Sequence, residues 1–420
     1  MNKTILILLS LLLAGTMRAQ QTLGELTLKD AERRFLERNL SLIAERYNID
    51  MAQAQVLQAR LFDNPVLSLE QNIYNRLNGK YFDLGKEGES AVEIEQVIQL
   101  AGQRNKQVRF EKINKERAEY QFEEVIRTLR KELNETFIEV YYLGKTLSVY
   151  DKEIESLEHL LQGMKQQEQK GNISLMELSR LESMLFSLKK EKNDRENEFL
   201  RSKGELNLLL NLPGDQVVTP VLDEEVLKQI DLSQLSLADL RAVIQERPDL
   251  KITRTNIKAS EANLKWQKSL AYPEFSIKGV YDRAGSFIND YFAVGISLSV
   301  PIFNRNQGNI KSARLSIGQA GIERDMVAHR ADMELATAYA ALEKAVRLYH
   351  STNMDLEKNF NKLIAGVNEN FGKRNISLLE FIDYYDSYKE TCVQLYEIKK
   401  DVFRSIDQLN TVVGMNVLNY

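Results

Sequence analysis

The chain has 420 residues, of which 28% are charged and 43% hydrophobic, with 56 basic against 60 acidic side chains and a formal net charge of -4. That composition excludes a disordered chain and a bundle of membrane-spanning helices. The near-balanced, interspersed charge removes the electrostatic case for nucleic acid and has the look of long solvated helix faces.

Met1 to Ala19 reads as an export signal: Lys3 is the positive start, Ile5 to Leu13 the apolar stretch, and Ala19 a small residue before Gln20. The other reading is a disordered start or a short anchor, because Met17 stands where a small residue is preferred. The apolar stretch is too short to cross a bilayer as a helix. No cysteine follows it to accept a lipid, and the single cysteine, Cys392, has no internal disulfide partner. No later apolar run is long enough for a transmembrane helix, so any entry into a membrane must be as a barrel.

After a helical segment, Pro65 opens a strand over about 65–75, in which Leu67, Leu69 and Ile73 alternate with Ser68, Glu70 and Asn72. A loop from Asn75 to Ser90 leads to a second strand at about 91–100, with Val92, Ile94, Gln96 and Ile98 on one face. No proline then falls between residues 66 and 212. Phe122, Ile126, Leu129, Leu133, Phe137, Val140, Gly144, Leu147, Tyr150, Ile154, Leu157, Leu161 and Met164 step by threes and fours, a coiled-coil-like seam. The pattern predicts a helix from about 103 to 170, on the order of 100 Å long at 1.5 Å per residue.

A turn at 171–174 precedes the returning helix, and residues 212–236, with Pro213, Gly214 and Pro220, form a linker. The second half, 237–420, repeats the plan. Its strands fall at about 273–282 and 291–301, joined by a turn around Gly285 to Asp290. Phe292, Val294, Ile296, Leu298 and Val300 alternate there with Ala293, Gly295, Ser297 and Ser299. A second seam runs through Leu335, Ala338, Leu342, Val346, Tyr349, Asn353, Leu356, Phe360, Leu363 and Val367 to a turn at 372–377. Asn48-Ile49 recurs 208 residues later as Asn256-Ile257, and Pro65 as Pro273; Asn172 to Glu177 recurs 203 residues later as Asn375 to Glu380. The chain is therefore read as a tandem repeat: 20–211, linker, 237–420.

The strands have the length of tilted transmembrane strands, although locally two soluble hairpins packed on helices would look the same. Four strands cannot close a barrel, and an open edge in lipid leaves backbone groups unpaired. A membrane reading thus requires several copies of the chain to share one barrel.

Catalytic chemistry is missing from the pattern. Leu143-Gly144-Lys145-Thr146 imitates a phosphate loop, but Glu139 replaces its first glycine and the stretch lies inside a helix. His159, His329 and His350 have no metal-ligand spacing. No cofactor, metal or nucleophile-and-base set is expected.

Five stretches, by their order and spacing, resemble the TolC-like outer-membrane efflux proteins. They are Asn64-Pro65, Leu206 to Asp215, Arg247 to Leu250, Tyr272 to Phe275, and Ser299 to Gly308. The last resembles most the CzcC-like branch that serves resistance-nodulation-division (RND) pumps. The resemblance covers essentially the whole mature chain. It implies a mainly α fold with a small β part: a homotrimer whose twelve strands form one outer-membrane barrel above an α-helical tunnel across the periplasm. It further implies a passive conduit, without enzymatic activity, for small molecules or metal cations arriving from a periplasmic adaptor and an inner-membrane pump. A type I protein secretion channel is the nearest alternative, and a secreted structural coiled-coil protein the next.

Two places stand out as sites. At the interhelical turns, Gly171, Asn172, Ile173 and Ser174, and Gly372, Asn375, Ile376 and Ser377, the glycines and asparagines permit tight backbone and the serines can cap the returning helices. Gly372 lies two residues earlier than Gly171 when the Asn-Ile-Ser copies are aligned, so the turns are expected to differ in shape. The resemblance makes these turns the adaptor-docking surface; helix-turn chemistry alone explains them otherwise. Just inside the second turn lie Glu380, Asp383 and Asp386. The resemblance matches Glu380 and Asp383 to an acidic constriction and Arg374 to a tethering arginine, with one residue inserted between the arginine and the acidic pair. The competing reading is a solvated helix face.

Overall fold

The computed structural model describes residues 23–233, 235–284, 288–354 and 356–420, with the side chains of 357–362 left aside. The signal reading at 1–19, part of the 285–290 turn and the Phe360 side chain of the second seam lie outside the described residues.

The elements in order are β1 (Leu23–Thr27), α1 (Leu28–Arg38), α2 (Leu40–Gln58), β2 (Val66–Gln71), β3 (Tyr74–Asn75), β4 (Lys80–Tyr81), β5 (Ser90–Gln99), α3 (Gln103–Gln169), α4 (Leu175–Leu209), β6 (Val218–Val221), α5 (Leu237–Val243), α6 (Pro248–Ser269), β7 (Glu274–Ala284), β8 (Asn289–Ser299), α7 (Gln307–Ser351), α8 (Leu356–Gly372) and α9 (Leu378–Val413). Among the described residues no helix is long and apolar enough to cross a membrane. Two compact units result. One holds the described residues up to Ala44 with Val125–Arg247 and Ala331–Tyr420, the other Glu45–Glu124 with Pro248–Arg330.

In the first unit Leu133, Phe137, Val140, Tyr150, Leu157, Leu161 and Met164 of the α3 seam are buried in the core, while Gly144, Leu147 and Ile154 are half-buried. On α7, Leu335, Ala338, Leu342, Val346 and Tyr349 are buried too. The second seam does not continue as one helix, however. It breaks between Ser351 and Leu356, and Asn353, a seam position by its period, is exposed. Ser351 and Thr352 turn their hydroxyls back onto the Leu348 carbonyl, at 3.0 and 2.8 Å, which competes with onward helix hydrogen bonding.

The same unit contains two strands too short for alternation to reveal: β1 pairs in parallel with β6, inside the segment read as linker. Matched positions of the two halves make matched contacts. Asn39 donates its side-chain amide to the Leu209 carbonyl at 2.9 Å, and Arg247 its guanidinium to the Val412 carbonyl at 3.1 Å. Both donors are buried. Asn207 and Asn410, 203 residues apart, each bind the backbone of the segment that follows their helix: Pro213 and Gln216 carbonyls in one case, Leu418 and Val417 in the other.

The second unit carries one four-stranded antiparallel sheet in the order β2-β5-β7-β8. Its register aligns the alternation of all four strands. Leu67, Ile94, Gly279 and Val294 face one way in a row, as do Leu69, Val92, Tyr281 and Phe292, and Ile98, Phe275 and Leu298. The opposite face is polar: Lys278 pairs with Glu93 at 3.2 Å, and Ser276 bonds Glu95 and Ser297. The apolar face is bare, with Phe292 76% and Val294 81% exposed. β2 and β8 are edges with no partner among the described residues. The helices of this unit meet through Phe110 stacked on Trp266, 5.8 Å between ring centres, and Gln103 bonding the Ser269 carbonyl at 3.1 Å. The loop between β2 and β5 is organised around Asp83. It accepts from Asn75 at 3.1 Å, from Asn78, and from the Gly85 amide at 2.8 Å, which holds its carboxyl below the usual range, the Asn78 bond most of all.

Candidate functional site: the two interhelical turns

Both turns close their helix in the same way. In the first, the Gly171 amide bonds the Glu168 carbonyl at 2.8 Å and the Asn172 amide bonds Gln167 at 2.9 Å. In the second, Arg374 bonds Phe371 at 2.9 Å and Asn375 bonds Asn370 at 2.8 Å. This is the Schellman pattern twice, and its left-handed residue is Gly171 (φ +73°) in one and Arg374 (φ +63°) in the other. The expectation of two different shapes is therefore corrected. Gly372 is simply the last residue of α8, and Arg374, not a glycine, takes the strained position. The asparagine side chains match as well, Asn172 to Gln167 at 2.8 Å and Asn375 to Asn370 at 3.0 Å.

The returning helices start alike. Ser174 caps α4 and Ser377 caps α9, each accepting from the amide three residues on, while Glu177 and Glu380 reach back to the serine amide and hydroxyl. Glu380 is thus half of a capping box, and its carboxyl is held below its ordinary range by the Ser377 backbone amide first and the Ser377 hydroxyl second. Ile173 and Ile376, just before the caps, pack onto the hydrophobic cluster beneath, which includes Leu178 and Phe381. This is a hydrophobic staple in both copies. The turns touch each other through Arg374, whose guanidinium donates to the Asn172 carbonyl.

Beneath them, Phe371, Phe381 and Tyr385 stack with 4.5 Å between successive ring centres. Tyr385, Ser156 and Asn368 form a closed triangle of hydrogen bonds of 2.6–2.7 Å, tying α9, α3 and α8 together. Deeper on α3, Glu153 is only 2% exposed and neither carboxylate oxygen has a hydrogen bond. Burial pushes it up to about 8, against the pull of Lys389, with Asp386 and Glu191 adding repulsion.

Of the sequence-derived gate set, Glu380 is engaged in its cap, Arg374 bridges the turns, and Asp383 is exposed with no hydrogen bond or ion pair among the described residues. Asp386 lies 3.7 Å from Lys389. Leu175, Met176 and Leu379, in the first turns of the returning helices, were not singled out as site residues in the sequence and are exposed apolar side chains beside the turns. No group of three or more His, Cys, Asp or Glu side chains among the described residues could hold a metal.

Long helices joined by tight turns, with a small sheet bare on its apolar face, define a TolC-like fold. The outer membrane efflux protein family model matches residues 32–212 of the chain. Among solved structures it is similar to CusC, in a structure describing transmembrane channel formation (16% identity, 92% of each chain, TM-score 0.74). It is also similar to the Campylobacter jejuni CmeC outer membrane channel (15%, 92% of this chain and 85% of that one, TM-score 0.73) and to the open state of the Neisseria gonorrhoeae MtrE outer membrane channel (15%, 93% and 89%, TM-score 0.71). No curated protein matches the sequence.

Proposed function

We propose that the chain is the outer-membrane duct of a tripartite export system, a passive conduit for small molecules or metal cations. The observation that carries this is the sheet: one continuous apolar face exposed to the surroundings, one polar face, and two edges unpaired among the described residues. Unpaired edges in lipid cost several kcal/mol per orphaned group, so neighbouring copies must supply the missing strands. Three copies give a twelve-stranded barrel with the polar face lining the lumen. The energy for transport comes from an inner-membrane pump, of RND type, linked by a periplasmic adaptor.

The adaptor docks at the turns of residues 171–174 and 372–377, where exposed Leu175, Met176 and Leu379 supply apolar contact. Asp383, repeated around the symmetry axis, lines the constriction. The Arg374 bridge keeps the two turns together until docking releases it. Glu380 supports the gate by capping rather than by facing the passage.

The test is reconstitution of the purified mature chain into planar bilayers, with membrane fractionation alongside. A detergent-stable oligomer and discrete conductance steps are the expected result; a soluble periplasmic monomer that conducts nothing would overturn the proposal.

A further inference from the structure

We propose that Phe303 of one subunit seats in a pocket at the base of the neighbouring subunit's sheet, latching adjacent copies together. The latch rests on the shared-barrel reading above and adds to it a specific contact.

Residues 300–306 follow β8 as a braced loop. Arg305 donates its Nε to the Ile302 carbonyl at 3.1 Å and its amide to Gln307 Oε1 at 2.7 Å, while Gln307 Nε2 reaches the Phe303 carbonyl at 3.3 Å. Asn306, left-handed at φ +57°, fastens the loop to Gln267 of α6 at 2.8 and 3.0 Å. Phe303, whose carbonyl this bracing engages, leaves its side chain 92% exposed. A rigid loop that displays an aromatic ring has prepared a contact, because the ordering cost is met before any partner arrives.

The receptor is a mostly apolar cavity of about 560 Å³, whose walls include Leu61, Phe62, Ile98 and Arg104. It too is organised in advance. Gln96 and Gln99 hold Asp63 at 3.0 and 3.1 Å, and the Arg104 guanidinium sits 3.7 Å over the Phe62 ring. An aromatic and cationic wall suits a second aromatic ring.

The occupant must come from a second copy. Within one chain β5 and β7 separate β2 from β8, roughly 14 Å at the usual strand spacing. The helix-proximal ends of β5, β7 and β8 are level, with Gln99, Glu274 and Ser299 in one row. When β8 of one copy pairs antiparallel with β2 of the next, the chain leaving β8 runs beside residues 61–65 that lead into β2. Of those residues, Leu61, Phe62 and Asp63 line the pocket.

The full chain carrying Phe62→Cys and Phe303→Cys, with the buried Cys392→Ser, is purified in detergent and oxidised. Disulfide-linked multimers are expected, together with roughly tenfold more dissociation in denaturing detergent for Phe303→Ala and recovery for Phe303→Trp. An assembled oligomer that forms no inter-subunit disulfide overturns the latch alone and leaves the ring to the lipid interface. A chain that stays monomeric in detergent overturns the latch and the shared barrel together.

Discussion

Arg374 holds, in the second interhelical turn, the left-handed backbone position that Gly171 holds in the first. For a residue with a Cβ this conformation costs roughly 1–2 kcal/mol, and such outliers persist where the surroundings enforce them. Here the guanidinium bond to the Asn172 carbonyl is the enforcing contact. Replacing Arg374 with Gly therefore removes the strain and the bridge at once. The expected outcome is a melting temperature unchanged or slightly raised, with higher single-channel conductance. Gly171→Ala should lower stability by about 1 kcal/mol with conductance unaffected.

Glu380 and Asp383 are separable by their partners. Glu380→Ala loses half of a capping box and should cost about 1 kcal/mol in chemical denaturation, most of it recovered by Glu380→Gln. Because the cap holds the Glu380 carboxyl low, its contribution is present above the unfolded pKa and lost as pH falls through the folded one. Asp383→Ala should leave stability alone and reduce the preference for cations in single-channel recordings. An unchanged preference would remove Asp383 from the gate.

Glu153 gives the opposite pH dependence. Its folded pKa of about 8 exceeds the ordinary 4.5, so the fold prefers the protonated acid. Stability from this group is complete below about pH 4.5 and is lost as pH rises towards 8. Thermal melts from pH 5 to 9 should show that decline, and Glu153→Gln should flatten it. A wild-type profile that rises over this range would contradict the assignment.

Asn39 satisfies two buried backbone groups, the Leu209 carbonyl and the Leu42 amide. Asn39→Ala should cost about 1–3 kcal/mol, measured by denaturant titration, because both are left without a partner. A loss of less than half that would mean water replaces the side chain.

The two faces of the sheet should respond differently to charge. Val294→Arg, on the bare apolar face, should impair insertion into vesicles by about 2–4 kcal/mol if it lies near the bilayer midplane, whereas Ser297→Lys on the polar face should be tolerated. Equal sensitivity of the two positions would argue against a lipid-facing side.

The long helix from Gln103 to Gln169 was legible because a buried stripe at a 3.6-residue period leaves its mark on every turn, and no proline interrupts it. The alternation along Phe292 to Leu298 was legible for the same reason at period two. Ser174 and Ser377 were recognisable as caps, since capping is settled within four residues.

What the sequence could not decide depended on partners far along the chain. The pairing of β1 with β6 joins residues nearly two hundred positions apart through strands of five and four residues, too short to carry a period. The side-by-side order of the two hairpins came only from the register of β5 against β7. Arg374 shows the limit most clearly. Local rules expected glycine to mark the left-handed residue and pointed to Gly372, but the position is fixed by where α8 ends and by a carbonyl in the other turn. Periodicity and capping belong to the chain's nearest neighbours and are written in it; strain, burial of an unpaired carboxylate and strand order arise only when distant segments meet.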